Sequence, residues 1–281
     1  MVLAFTEHLP AVALPFGGVI RPWQWAFILV GAPGVLWALV VLTIREPDRR
    51  GVPKGETAIT VPMREVARFM AAERRVYSAV IGGLCMQMTM AMGIGQWMPT
   101  LYHREFGWKL SDVGMIAGTV ALVLSPIALL TGGALSERWM RRGKADANLR
   151  IVLLGLLVIT PIYTISPLLP NPWMVMGVNV VAMFVALLGS GPGIAAFQII
   201  TPNRMRAQVS AIYQFGTHVI AMAIGPLAVA LLTDHVFQDP HALKYSLSLV
   251  AAVMGLTSIL LVAQGMKPYR EAYRRAVEQG Y

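Results

Sequence analysis

The sequence predicts an all-α integral membrane protein, and three observations carry that prediction. The first is composition. Of the 281 residues, 56% are hydrophobic and 13% are charged, where soluble domains run at about 45–50% and about 25%. So few charged groups cannot coat a soluble domain of this size, which argues against a cytosolic enzyme and against a disordered tail. The second is that the chain holds seven apolar stretches, each free of Asp, Glu, Lys and Arg and each near the ~20 residues needed to cross a bilayer. The third is that lysine and arginine fall almost entirely on one side of those stretches.

In chain order, Leu9–Ile20 (LPAVALPFGGVI) is apolar but too short to span, and it contains two prolines and Gly17-Gly18. No Lys or Arg precedes Arg21, so the basic start of a signal peptide is missing. Residues 1–24 read as the truncated remnant of a preceding helix and its outer loop, with a short re-entrant or interfacial segment as the alternative. Trp25–Ile44 is the first span, and residues 45–76 form a basic loop that carries an amphipathic stretch, Met63–Arg75. Six more spans fill residues 77–264: Tyr77–Pro99, Gly114–Leu135, Ile151–Leu169, Trp173–Ile200, Ser210–Thr233 and Tyr245–Gln264. Residues 265–281 remain as a basic tail.

The seven spans divide the connecting segments between two sides. One side holds Arg45 to Arg75, Arg138 to Arg150, Arg204, Arg206 and Lys267 to Arg275, which is 19 of the 23 basic residues. The other holds Arg21, Arg104, Lys109 and Lys244. Short loops rich in Lys and Arg stay in the cytoplasm, so the expected topology has the N-terminus outside and the C-terminus cytoplasmic, in a multi-pass cell-membrane protein. The net charge of +9 is then a topology signal, and nucleic acid is not an expected partner. The single cysteine, Cys85, excludes a disulfide framework and a Cys/His zinc site. No metal, cofactor or catalytic residue is expected.

Polar residues inside the spans are the candidate lining of a solute path. In Ser210–Thr233, Tyr213 and Thr217 are four apart, as are Gln214 and His218, which makes one polar stripe on a helix. Gln198 lies toward the basic end of the preceding span. In Tyr77–Pro99, Gln87, Thr89 and Gln96 interrupt a methionine-rich run (Cys85–Pro99), with Thr89, Gly93 and Gln96 placed near one face. Polar groups in a membrane helix are costly unless they face water or a partner, so these residues line a cavity or bond a neighbouring helix. His218 is the one histidine within any span, and Ser190 lies at a similar depth. Gly191, Pro192 and Gly193 interrupt the fifth span and are candidates for a bend. Trp97 and Trp108 fit an aromatic belt near the outer edge.

Three stretches, taken in order, resemble the major facilitator superfamily. Trp23-Gln24-Trp25-Ala26-Phe27 with Gly31, Pro33 and Gly34, followed by Arg45-Glu46-Pro47, resembles its sixth helix entering the central loop. Gly133-Ala134-Leu135-Ser136-Glu137-Arg138-Trp139-Met140-Arg141-Arg142 is similar to the second-half copy of its G-x-x-x-D-R-x-G-R-R loop, with Glu for Asp and Met140 for Gly. Thr201-Pro202-Asn203-Arg204-Met205-Arg206, then Gly225-Pro226 and Leu232-Thr233-Asp234, resembles helices ten and eleven of spinster-like members. The resemblance implies a major-facilitator-type C-terminal six-helix bundle plus one helix of the N-terminal half. It also implies a transporter that moves a small organic or lipid-like solute by alternating access, with the N-terminal half as a missing partner. By the same resemblance, Gly133, Glu137, Arg138, Arg141 and Arg142 form a cytoplasmic gating loop.

Two other classes compete. A seven-helix receptor would share the topology, but the paired outer cysteines and the acidic-Arg-Tyr signature after the third span are missing. An intramembrane serine hydrolase would use Ser190 and His218, yet Gly189-Ser190-Gly191 lacks the G-x-S-G spacing.

Overall fold

The computed structural model describes residues 12–13, 19–44 and 61–279. The chain divides into two compact units, Met1–Ile59 and Thr60–Tyr281.

In the first unit, β1 (Val12–Ala13) and β2 (Val19–Ile20) pair antiparallel, with Val12 opposite Ile20. These four residues were expected in the remnant of a helix and are extended instead. The sequence between them holds Pro15 and Gly17-Gly18, which favour turns over helix; the rest of residues 1–18 lies outside the described residues. The first expected span is α1 (Pro22–Val41), which begins three residues early because Pro22 suits the first helical turn. The Gln24 carbonyl Oε1 accepts the Arg21 N–H at 2.7 Å, which closes its start. Among the described residues its apolar part is Phe27–Val41. Residues 45–60 of the basic loop lie outside the described residues.

The second unit holds six helical segments long and apolar enough to cross a membrane. They are α3 (Arg74–Phe106), α4 (Leu110–Arg141), α5 (Ala147–Ile165), α6 (Pro172–Ile199), the pair α7 (Arg206–Phe215) and α8 (Ala221–Leu231), and α9 (Leu243–Glu278). A π-turn, Gly216–Ile220, joins α7 to α8, and a second, Leu232–Phe237, follows α8. α3, α4 and α9 outrun their apolar stretches at both ends. At 1.5 Å per residue, α9 is about 54 Å long, so it must emerge from a core of about 30 Å. The expected tail from residue 265 is thus a continuation of α9 through Pro268. Gly107 (φ +68°) ends α3 and Gly143 (φ +76°) ends α4, the left-handed turn that glycine adopts without strain.

The packing is a repeat. The main helix pairs are α3 with α9, α5 with α6, α5 with α9, α3 with α8 and α4 with α6. Exchanging the set α3–α4–α5 for the set α6–α7/α8–α9 maps four of these pairs onto one another and the fifth, α5 with α9, onto itself. Inverted three-helix repeats of this kind build many membrane carriers. The exchange also relates the two closest backbone approaches. A Cβ on Gly132 of α4 would overlap the Leu188 carbonyl oxygen of α6, and one on Gly225 of α8 would lie 2.5 Å from the Thr89 carbonyl oxygen of α3. Without a hydrophobic drive inside lipid, such glycine contacts let helices gain dispersion energy at short range. Pro192 has no N–H to give the Leu188 carbonyl, and it is that carbonyl against which Gly132 packs. The core between the sets is filled by Leu84, Met90, Leu101, Leu149, Leu156, Phe197 and Leu247.

The amphipathic stretch becomes α2 (Met63–Ala72), and its role exceeds surface anchoring. Val66 is fully buried, Phe69 meets Tyr77 edge-on at 5.8 Å, Glu65 pairs with Arg204 at 3.0 Å, and the Val61 carbonyl accepts from Gln208 Nε2 at 2.6 Å. α2 is therefore bolted to the start of α7.

Candidate functional site

The expected polar stripe on α7 and the π-turn divides by depth. Thr217 is 1% exposed and its hydroxyl donates to the Tyr213 carbonyl at 3.0 Å. Tyr213 is half-buried, its ring 4.9 Å from that of Phe197 on α6. Gln214 and His218 are exposed on the outside of the bundle. His218 Nδ1 lies 3.1 Å from the Gln214 carbonyl and 3.2 Å from Thr217 Oγ1. With Nδ1–H donating to the carbonyl, Nε2 remains as the outward group. The π-turn sits at this point, and such turns concentrate at functional sites. Gln198 is half-buried and its Nε2 donates to Ser210 Oγ at 3.3 Å, which ties α6 to α7.

On α3, Gln96 is exposed and Gln87 is half-buried, but Thr89 departs from the expected lining. It is 1% exposed, and its hydroxyl donates to the Cys85 carbonyl at 2.8 Å. Thr89 and Thr217 are thus removed from the cavity set, because each satisfies its hydroxyl on its own helix, the usual solution inside a membrane segment. Ser190 does the same, donating to the Leu187 carbonyl at 2.7 Å. Among the described residues Ser190 and His218 share no hydrogen bond, so the hydrolase pair is not assembled. No three His, Cys, Asp or Glu among the described residues converge on a metal site.

The three candidates for a bend are separated as well. α6 runs as one helix through Pro192. Gly193 is buried, and a Cβ there would lie 2.9 Å from Leu84 Cδ2 on α3, so this glycine serves close packing; Gly191 borders open space. Met90 is core, whereas Met98 lines an apolar cavity of about 250 Å³ with Ile94, Tyr102, Val120, Tyr163 and Met183. The expected belt tryptophans are tied inward: Trp97 Nε1 donates to the Pro226 carbonyl at 3.0 Å, and Trp108 packs against Trp173 at 4.9 Å.

At the basic end, Gly133, Glu137, Arg138, Arg141 and Arg142 are all exposed. Glu137 and Arg141 pair at 2.7 Å, with side chains 63% and 78% exposed. Met140, in the place where the resembled motif has glycine, accepts weak contacts at 3.9 Å from Ser136 Oγ and Asn148 Nδ2. Ser136 also donates to Asn148 Oδ1. Beside them lies a group that the sequence did not single out. Asp146 is buried, its side chain 3% exposed, and its two oxygens accept from Arg150 Nε at 2.7 Å and Arg270 Nε at 2.5 Å. Burial pushes the Asp146 carboxyl up, but hydrogen bonds from the two guanidinium groups outweigh it and hold the carboxyl below its ordinary 3.8. Arg150 lies one helical turn from Asp146, a spacing visible in the sequence; Arg270 lies far along the chain and had no local signal.

Six membrane-length helices in two exchanged sets of three, with a basic end and a polar face, define a repeat-built polytopic membrane protein. The chain belongs to the major facilitator superfamily, whose sequence model matches residues 2–226. It is 24% identical over 252 residues to an MFS-type efflux pump of Mycolicibacterium smegmatis, covering 88% of this chain and 57% of that protein. It is 24% identical over 272 residues to a D-galactonate transporter of Escherichia coli, covering 85% and 59%. In fold it is similar to a bacterial homologue of the human lysosomal transporter Spinster. For the inward-facing, unoccupied structure the TM-score is 0.56 at 20% identity, covering 93% of this chain and 61% of that one. For the occupied form the values are 0.54, 18%, 95% and 61%. The chain spans less than two thirds of the length of each of these proteins.

Proposed function

We propose that this chain forms one wall of a transport path and acts in secondary transport of a small organic or lipid-like solute by alternating access. The carrying observation is the exposure of Gln214 and His218 on a membrane-length helical segment. Polar groups there are stable only against water, solute or a partner. α4 and α7/α8 correspond under the repeat exchange and stand at the two ends of the packing order, so both are free to meet a second helical body. In this reading α3 to α9 are helices seven to twelve of the family's twelve, α1 is helix six, and the N-terminal half supplies the opposite wall. Gln87, Gln96, Gln198, Tyr213, Gln214 and His218 line the path. Gly133, Glu137, Arg138, Arg141 and Arg142 gate its cytoplasmic end, and Gly191 with Pro192 allows α6 to bend. The division of basic residues supports a C-terminus in the cytoplasm and an N-terminus outside, in the cell membrane.

The test is uptake by the full twelve-helix protein bearing Gln214→Ala with His218→Ala. A fall of about tenfold or more is expected, since each lost hydrogen bond to a solute changes affinity severalfold. Unchanged uptake of every organic solute tried would remove both residues from the path.

A further inference from the structure

We propose a second binding site, for the phosphodiester headgroup of an anionic phospholipid, in the cleft between α4, α5 and α9 at the basic end. The cleft has a volume of about 350 Å³ and is lined by Trp139, Lys144, Arg150, Leu154, Met266 and Arg270, together with Leu153.

Four features converge on this ligand. First, two cations face one buried carboxylate. Arg150 and Arg270 both reach Asp146 through Nε, and no hydrogen bond among the described residues engages their outer Nη atoms. A guanidinium held by its Nε keeps an edge of N–H donors for a phosphate oxygen. Second, Lys144 adds a point charge. It is exposed, and its Nζ lies 4.7 Å from the centre of the Trp139 ring, a contact that holds it at the mouth of the cleft. The cleft therefore carries a surplus of two positive charges. Third, the remaining lining is apolar: Leu153, Leu154 and Met266 share the cleft with the cations. A soluble phosphate would gain nothing from such a lining. Fourth, Arg150 continues into the outer stripe of α5. Leu154, Leu157 and Val158 follow it at helical spacing and are 52%, 51% and 42% exposed. That stripe faces hydrocarbon when the helix spans a membrane, so acyl chains can run along it while the headgroup sits among the cations. Basic pockets between membrane helices bind anionic headgroups by this combination of charge and depth. The Glu137 side of the loop differs: its cleft is lined by Ala134 and four charged residues, with no large apolar residue.

The experiment is native mass spectrometry of the whole chain in detergent, titrated with dioleoylphosphatidylglycerol, dioleoylphosphatidylcholine or inorganic phosphate. The expected result is saturable phosphatidylglycerol binding at least fivefold tighter than phosphatidylcholine, not displaced by equimolar phosphate. Lys144→Gln should weaken it about fivefold, one cation's worth near a membrane surface. Lys144→Arg should restore it, and Arg274→Gln, which removes an exposed cation of α9 outside the cleft, should leave it unchanged. Equal binding of the two lipids would overturn the site. Equal losses in Lys144→Gln and Arg274→Gln would also overturn it, as a diffuse charge effect. Displacement by phosphate would replace the lipid with a soluble anion and overturn the lipid assignment.

Discussion

Two carboxylates at the basic end are each held by an arginine one helical turn on, Glu137 by Arg141 and Asp146 by Arg150. The local spacing is the same and the surroundings are opposite. The Glu137 pair stands in the open, where side-chain entropy and solvent screening leave little net energy. The Asp146 carboxylate is buried and takes a second arginine from α9, so it joins the first repeat to the last helix of the second. The lesson is that the motif marks where charge is displayed, whereas burial decides where charge holds the bundle together.

The largest test of that contrast is Asp146→Ala. Removing one member of a buried ion pair costs about 3–5 kcal/mol. The arginine side chains here are 39% and 43% exposed and regain some hydration, so about 2–3 kcal/mol is expected, read as a lower melting temperature in detergent. Acid offers a second approach. The Asp146 carboxyl in the folded chain lies below its ordinary 3.8. Its stabilisation is therefore complete above about pH 4 and is lost as pH falls through the lower folded value. The stability gap between the wild-type chain and Asp146→Asn should shrink as the pH is lowered below 4. A gap independent of pH would show that shape, rather than charge, is what Asp146 contributes.

Next in size is Arg270→Gln. It leaves Asp146 with one partner and severs the link to α9, so a loss of about 1–2 kcal/mol is expected. If Arg150→Gln proved the more damaging, the local turn would outrank the link between helices. The smallest effect belongs to Glu137→Gln, at about 0.5 kcal/mol or less, from the same melting measurement. A loss matching that of Asp146→Ala would erase the distinction between the two sites. A null on stability joined to a change in transport rate of the full-length protein would sharpen it, because Glu137 would then act only when the gate moves.

Much of the architecture was legible in one dimension. Apolar length located all six spans of the bundle, since crossing hydrocarbon imposes that length on any helix. The pairs Tyr213–Thr217 and Gln214–His218 were correctly placed as neighbours, because helical spacing puts them one turn apart. Which pair faces inward was not legible: a π-turn at Gly216–Ile220 and the ring of Phe197 on another helix decide it. The same holds for Thr89, whose polarity suggested a cavity while its burial and bond to Cys85 assign it to packing. Gly132, which touches α6, also stood unmarked beside Gly133, which borders open space.

The sequence alone determined that the chain is helical, that it belongs in a bilayer and which end is basic. Those properties are sums over neighbouring residues, and the cost of burying charge or exposed backbone in hydrocarbon enforces them locally. Only the tertiary structure decided that Asp146 meets Arg270, that Gly132 meets Leu188, and that three cations share one cleft with Leu153, Leu154 and Met266. Such contacts depend on which helices are neighbours and how each is turned about its axis. Inside a membrane, where nearly every outward face is apolar, hydrophobic pattern cannot report that rotation, and close backbone packing with buried hydrogen bonds sets it instead.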